Sequence, residues 1–172
     1  LGTLGGPNST VPWPGVNNRG WVVGISQTGE LDPNHESWSC EEGGFMPVTN
    51  PKQVCRGFVY HDGEMHELPT LGGTHAFATE VNSRGQVVGW AETDVFDNSC
   101  NGIQKLQFLG VLWEPERGTK EVLPPYPGDR ASAATAINEN GVAVGISGRC
   151  DQAVGRFSAL RAVIWEHGSV DT

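Results

Sequence analysis

Apolar residues alternate with polar ones on either side of a short turn that occurs three times in the chain. The turn has Asn in its first position and Gly in its fourth, at Asn17–Gly20, Asn82–Gly85 and Asn138–Gly141. In such a turn the Asn side chain bonds the backbone, and Gly supplies the positive φ that follows. The residues around the second turn are Ala-Thr-Glu-Val before it and Gln-Val-Val-Gly-Trp after it. Each segment therefore predicts a β-hairpin.

A second repeated segment, β-branched or aromatic, follows each hairpin at Gly57–Tyr60, Gly110–Trp113 and Ala162–Trp165. It ends in a Gly-containing turn, which predicts the start of a second hairpin. Each unit therefore supplies four short antiparallel strands, and no segment has the apolar period of a helix. We predict an all-β fold of three four-stranded β-propeller-like blades. The three units cover about residues 1–69, 70–124 and 125–172.

The aromatic residues that end these segments, Tyr60, Trp113 and Trp165, occupy equal strand positions. A buried core is the favoured interpretation, and an aromatic platform for sugars is the alternative. Trp38 differs because it lies in a polar insertion beside Cys40, where no core strand is expected. It is the strongest candidate for an exposed ligand contact.

The two ends of the chain resemble two halves of one connection. The third unit stops at Gly168–Thr172, and Leu1–Gly6 reads like Leu71–Gly73, which follows the last strand of the first unit. We therefore predict that the last blade is split between the termini and is completed by residues 1–6 of the same or a neighbouring chain. The predicted assembly edge consists of Leu1, Gly2, Thr3, Leu4, Val170, Asp171 and Thr172.

Three blades are too few to close a propeller, and open strand edges pair with other chains. Three outcomes remain open at this point. They are a six-bladed ring of two copies, a filament in which each copy completes its neighbour, and a fragment of a longer array.

Composition narrows the classes of partner. Gly accounts for 24 of 172 residues and Pro for 11, which disfavours a helical protein because both are costly inside helices. The formal net charge of −9 at pH 7 argues against a nucleic-acid partner, which requires a basic surface. We expect no membrane span, because no apolar run approaches the ~20 residues that one requires.

Four cysteines, Cys40, Cys55, Cys100 and Cys150, lie in polar segments without a Cys-x-x-Cys spacing. This pattern favours disulfides over free buried thiols, and with them an oxidising, extracellular compartment. Of the three possible pairings we favour Cys40–Cys55, which closes a loop inside one insertion, and Cys100–Cys150, which links two loops.

Few residues stand out as reactive groups. The five histidines, His75 among them, have no metal-ligand spacing and are interpreted as solvated turn residues. Asp94 and Asp97 offer oxygen ligands for Ca²⁺, although a plain polar loop is favoured over this site, and no other cofactor is indicated. No catalytic motif is present, and a glycosidase-like pair involving Glu80, Glu92 or Asp94 is not singled out by spacing. We therefore expect no enzyme.

Leu1–Gly6, the Asn-x-x-Gly-x-Val-Val-Gly hairpin and the aromatic strand ending in Trp together resemble the bacterial HAF-type extracellular repeat. The resemblance covers the repeat cores, roughly half of the chain. It departs where the family has His-Ala-Phe before the aromatic strand, since Arg56-Gly57-Phe58 stands there in the first unit. The resemblance implies a secreted bacterial protein of β-propeller-like repeats and carries no established reaction.

We therefore expect a non-enzymatic, secreted structural protein that self-assembles through β-edge or strand complementation and is stabilised by disulfides. Its partners would be other copies of itself. The alternative is an extracellular glycan- or ligand-binding module, in which Trp38 and the cysteine-bearing insertions form the contact surface.

Overall fold

The structure is a computed structural model that describes residues 1–36, 40–41, 45–151 and 158–172. In these residues the chain forms β-strands and one short 3-10 helix, Pro115–Arg117. No helix in this part of the chain is long and apolar enough to cross a membrane. The strands make three antiparallel sheets of four strands each, which confirms the expected all-β fold. Over the same residues the sheets do not close into a ring.

Within each sheet the strands lie side by side in chain order. The first sheet contains β1 (Ser9–Thr10), β2 (Val22–Leu31), β3 (Gln53–His61) and β4 (Glu64–Glu67). The second contains β5 (Gly72–Val81), β6 (Val87–Phe96), β7 (Leu106–Glu114) and β8 (Thr119–Leu123). The third contains β9 (Ala131–Ile137), β10 (Ala143–Gly148), β11 (Ala159–Glu166) and β12 (Ser169–Asp171). Each unit therefore folds as consecutive hairpins.

The three Asn turns have the predicted geometry. Oδ1 of Asn82 accepts hydrogen bonds from the backbone N–H groups of Arg84 and Gln86, at 3.1 and 3.0 Å. Asn17 and Asn138 make the same two bonds with the residues two and four positions further on. The fourth turn residue is Gly in each case, with φ between +77° and +82°. Gly adopts this left-handed conformation without the steric cost that a side chain would add.

Consecutive sheets pack face to face, and two tryptophans mark the boundaries. Trp113 on β7 is 1% exposed, and its indole N–H donates to the carbonyl of Pro69 at 2.8 Å. Trp165 on β11 is 2% exposed and donates in the same way to Pro124 at 2.7 Å. For these two residues the core interpretation is confirmed. Tyr60, at the equivalent position of the first sheet, is half-buried.

The segment Leu1–Gly6 precedes β1 and lies against β2 of the first sheet. The N–H of Gly6 donates to the carbonyl of Gln27 on β2 at 3.0 Å. In the second unit the N–H of Leu71 donates to the carbonyl of Glu92 on β6 at 3.1 Å, so the Leu-Gly-Gly block has the same place there. The third sheet already has four strands of its own. The prediction that Leu1–Gly6 of the same chain complete it is therefore wrong.

The reason for this placement is steric. Gly5 and Gly72 have φ of +110° and +108°, a conformation that favours glycine. A β-carbon on Gly6 or Gly73 would lie 2.6 Å from the Cβ of the strand residue beneath it. The glycines thus let the chain cross closely over the second strand of its own unit. The Leu-Gly-Gly block marks the beginning of a unit and not the end of the preceding one.

Candidate functional site

The outer face of the third sheet exposes side chains that are buried in the other two sheets. Val23, Val88 and Val144 occupy one position, directly before the glycine of the repeated hairpin. Val23 and Val88 are 1% and 0% exposed in clusters shared with the next sheet, whereas Val144 is 41% exposed. Ile164, paired with Val144, is 38% exposed, while its equivalent Val59 is 1% exposed. We call the surface around Val144 and Ile164 the trailing face.

The first sheet has a corresponding open face on its other side. Val16, Val81 and Ile137 each come directly before the turn asparagine. Val81 and Ile137 are 4% and 7% exposed, whereas Val16 is 58% exposed. Val22 and Tyr60 are half-buried, although their equivalents in the second sheet are buried. We call the surface around Val16, Val22 and Tyr60 the leading face.

The turn asparagines join the sheets to one another. Nδ2 of Asn17 donates to the carbonyl of Asn82 at 2.9 Å, and Nδ2 of Asn82 donates to the carbonyl of Asn138 at 3.0 Å. The same hydrogen bond therefore crosses both sheet boundaries, and we call this series the asparagine ladder. Sequence reasoning assigned these residues only their turn role. Their recurrence at equal positions was the signal that the side chains have a further shared contact.

The residues of the predicted assembly edge are divided between the first and third sheets. The N–H of Leu4 donates to the hydroxyl of Ser26 at 2.8 Å, and Val170 on β12 pairs with Trp165 on β11. The four residues beside the first sheet are Leu1, Gly2, Thr3 and Leu4, and the three at the edge of the third are Val170, Asp171 and Thr172. Contact between the two groups in neighbouring chains stays a prediction.

Both favoured disulfides are present. Cys40 is bonded to Cys55, 15 residues along the chain, and Cys100 is bonded to Cys150, 50 residues along the chain. The first closes the insertion between β2 and β3, and the second joins the β6–β7 loop to the β10–β11 loop. All four cysteines are consumed in these bonds.

Asp97 lies beside the second disulfide, and its carboxylate is already bonded to protein groups. One oxygen accepts from the N–H and the hydroxyl of Ser99, at 2.8 and 2.7 Å, and the other accepts from Nε of Arg130 at 3.1 Å. Burial opposes the charged form, but the Arg130 and Ser99 hydrogen bonds lower the pKa of Asp97. Asp94 is exposed on β6. The Ca²⁺ site stays a prediction, and Trp38 lies outside the described residues.

His75 is buried, which corrects its interpretation as a solvated turn residue. It is 0% exposed on β5, where the insertion of the first unit contacts the second sheet. Its Nδ1 accepts from the N–H of Cys55 at 3.0 Å, and its Nε2 lies 3.1 Å from Oδ2 of Asp32. Because Nδ1 accepts a hydrogen bond, the ring proton lies on Nε2 and is donated to Asp32. The insertion is thereby fastened to the neighbouring sheet.

Two further carboxylates approach this histidine. Glu92 on β6 is 0% exposed; it accepts from the N–H of His75 at 2.9 Å and from Nε2 of Gln104 at 2.9 Å. Glu36 is 1% exposed and accepts from the N–H of Lys105 at 3.1 Å. Burial raises the pKa of Glu92 to about 8, and the charge of Glu36 adds to the shift. We call this group the buried polar cluster; it comprises Asp32, Glu36, His75, Glu92 and Gln104.

The buried polar cluster joins carboxylates of two units, as a glycosidase-like pair would require. Its side chains are enclosed, however; both oxygens of Glu92 and one oxygen of Glu36 accept from backbone and amide donors of the protein. A glycosidase needs its two carboxyl groups on either side of an accessible sugar bond. The arrangement is therefore that of a structural anchor between two sheets. Glu80 accepts from the N–H of Ile137 at 2.8 Å and likewise joins two sheets.

Comparison with family models, curated proteins and solved structures finds no match for this chain.

Proposed function

We propose that this protein is a non-enzymatic structural protein that self-assembles, each copy continuing the row of sheets of the next. The proposal places it in an oxidising, extracellular compartment, as the two disulfides favour. We include in this proposal that the three units are HAF-type repeats and that the sheets close in a propeller-like way. Self-assembly of this kind gives either a ring of two copies or a longer filament.

The observation that carries the proposal is the exposure of Val144 on the trailing face. Its two equivalents, Val23 and Val88, are buried because a following sheet packs on them, and Val144 is 41% exposed. In the part of the chain that the structure describes, a following sheet therefore covers Val23 and Val88 and none covers Val144. An exposed apolar surface that is rimmed by polar residues is typical of an interaction site.

The non-enzymatic part of the proposal is supported by the buried polar cluster. Catalytic acids and bases with shifted pKa values need access to a substrate. Glu92 and His75 are both 0% exposed, and their hydrogen bonds hold the insertion against the second sheet. This gives their burial a role in stability.

Native mass spectrometry and light scattering across a concentration series test the proposal. The purified, oxidised protein is expected to form dimers or larger species in proportion to concentration. A single monomeric species at the highest concentration would contradict self-assembly. The mutation Trp38→Ala tests the rival class in parallel. Self-assembly predicts that neither the wild type nor the variant binds a polysaccharide array, whereas a glycan-binding module predicts a signal that the variant loses.

A further inference from the structure

We propose that the trailing face of one copy docks on the leading face of a second copy, head to tail, and that Asn138 of the first donates to the carbonyl of Asn17 of the second. This inference rests on the proposed function and adds the two surfaces and the orientation. The occupant of the trailing face is thus a second copy of this chain.

Among the described residues, the asparagine ladder is unfilled at both ends. The carbonyls of Asn82 and Asn138 each accept two hydrogen bonds, one from the turn glycine and one from the preceding asparagine side chain. Within the described ranges of the chain, the carbonyl of Asn17 accepts only from Gly20, and Nδ2 of Asn138 makes no hydrogen bond. One end lacks a donor and the other lacks an acceptor. The two ends are therefore complementary.

The burial of the asparagines changes along this ladder. Asn82, which is bonded on both sides, is 3% exposed, while Asn17 is half-buried and Asn138 is exposed. Asn138 still holds its own turn through Oδ1, which accepts from Asn140 at 2.9 Å and Val142 at 3.1 Å. Its amide group is thus held in place by the turn, at the exposed end of the row.

The apolar residues of the trailing face and the leading face also match. At the boundary of the second and third sheets, Val88 lies in one cluster with Ile137 and Trp165. The equivalent of Val88 on the trailing face is Val144, and the equivalents of Ile137 and Trp165 on the leading face are Val16 and Tyr60. Docking the two faces therefore repeats an interface that the chain already contains twice. A contact between two trailing faces has no such internal example.

The test uses one blocked surface at a time. Val144→Asp blocks the trailing face and Val16→Asp blocks the leading face, and both positions are exposed, so the fold should be retained. Val48→Asp, at a residue 61% exposed in the insertion, is the matched control. Each blocked variant alone should be monomeric, and an equal mixture of the two should form one-to-one dimers in native mass spectrometry. The control should associate as the wild type does.

A blocked variant that still associates alone, or a mixture that stays monomeric although the wild type associates, would overturn the head-to-tail contact and leave self-assembly standing. A wild type that is itself monomeric would overturn the proposed function as well. The two failures are thereby distinguished.

Asn138→Asp gives a second readout, because aspartate keeps the acceptor that holds the turn and removes the Nδ2 donor. We expect about tenfold weaker association, the loss of roughly one hydrogen bond at the interface. The thermal unfolding midpoint of the monomer should not change. Unchanged association would overturn the role assigned to Asn138.

Discussion

The first and second sheets each bury a pair made of an amide and a carboxyl group. The strand residue is the amide in the first sheet and the carboxyl group in the second. In the first, Gln27 on β2 donates from Nε2 to Glu41 of the insertion at 2.8 Å. In the second, Gln104 of the loop donates from Nε2 to Glu92 on β6 at 2.9 Å. Gln27 and Glu92 are equivalent, each three residues after the glycine of the repeated hairpin. The carboxylate therefore lies on the loop in one unit and on the strand in the other.

The neighbouring strand differs in the same sense. Asn8, two residues after Gly6, donates to the side-chain oxygen of Gln27 at 2.8 Å, so two neutral amides meet. His75, two residues after Gly73, lies instead between Glu92 and the acids of the insertion. Both sheets therefore bury a polar pair at this strand position, and the residue that the loop supplies decides whether the strand residue is the amide or the carboxyl group. In the second sheet the strand carboxylate is the one whose pKa is raised, to about 8.

Removing the disulfides should give the largest loss of stability. Replacing Cys100 and Cys150 by Ala should lower the free energy of unfolding by about 4 kcal/mol, and replacing Cys40 and Cys55 by about 3 kcal/mol. The reason is that the bonds join residues 50 and 15 positions apart, and the longer loop restricts the unfolded chain more. Urea unfolding at pH 7 measures both. A larger loss for the shorter loop would show that holding Glu41 over Gln27 outweighs chain entropy.

The variant Gln27→Glu tests the order of the pair in the first sheet. It removes the amide donor and places a second buried carboxylate beside Glu41, so we expect a loss of about 3 kcal/mol at pH 7. Adding Glu41→Gln should restore most of this loss, because the double variant has the order found in the second sheet. Urea unfolding of the single and double variants provides the comparison. A double variant no more stable than the single one would disprove that the amide and the carboxyl group can be exchanged between the strand and the loop.

Glu92→Gln gives the second sheet the strand residue of the first. The pKa of Glu92 is raised from 4.5 to about 8 in the folded chain, so the folded state keeps a proton that the unfolded state loses. The contribution of the protonated Glu92 carboxyl group to the free energy of unfolding is complete below pH 4.5 and is lost as the pH rises through 8. By pH 7 the loss is roughly 3 kcal/mol. The variant should match the wild type at pH 4 and exceed it at pH 8, as measured by urea unfolding across pH. If the free energies of unfolding of the variant and the wild type changed with pH in parallel, the raised pKa of Glu92 would not be the cause of the pH dependence.

His75→Asn copies the first sheet at the neighbouring position and should have the smallest effect. We expect a loss of about 2 kcal/mol, because Asp32 loses its ring N–H partner and the smaller side chain leaves a gap. His61→Asn is the control, since His61 bonds the exposed Asp62 at 3.0 Å and should change stability by about 0.5 kcal/mol or less. Thermal unfolding measures both. Equal losses of stability in the two variants would mean that the buried imidazole of His75 contributes no more to stability than that of His61.

The strands and turns could be predicted because their signals are local. The Asn and Gly of each turn, such as Asn82 and Gly85, act within five residues, and the apolar alternation beside them needs no distant partner. The tryptophan core was predictable for the same reason, since Trp113 and Trp165 stand at equal strand positions. Because the turn and the aromatic segment each occur three times, they support these interpretations more strongly than a single hairpin would.

The buried polar cluster could not be predicted because its burial depends on another unit. His75 follows Gly-Gly-Thr, a polar setting typical of a turn, and it becomes buried because Asp32 and Glu36 reach it from the first insertion. Alternation along β5 puts His75 on the same face as Phe77, which was the local signal available. The Leu-Gly-Gly block was misplaced for a similar reason, since adjacency in sequence does not say which sheet a crossing segment covers.

The asparagine ladder has a consequence for how such a chain can grow or shrink in evolution. Each rung joins one unit to the next through the same two groups, so duplicating or deleting one whole unit, from one Leu-Gly-Gly block to the next, preserves the form of the junction. A duplication that is not a whole number of units long would disturb the order of turns and sheets and so remove a rung. Gene duplication or deletion in whole units is thus the route to longer or shorter versions that keeps every junction, and the same rule gives protein engineers the length of segment to insert or remove.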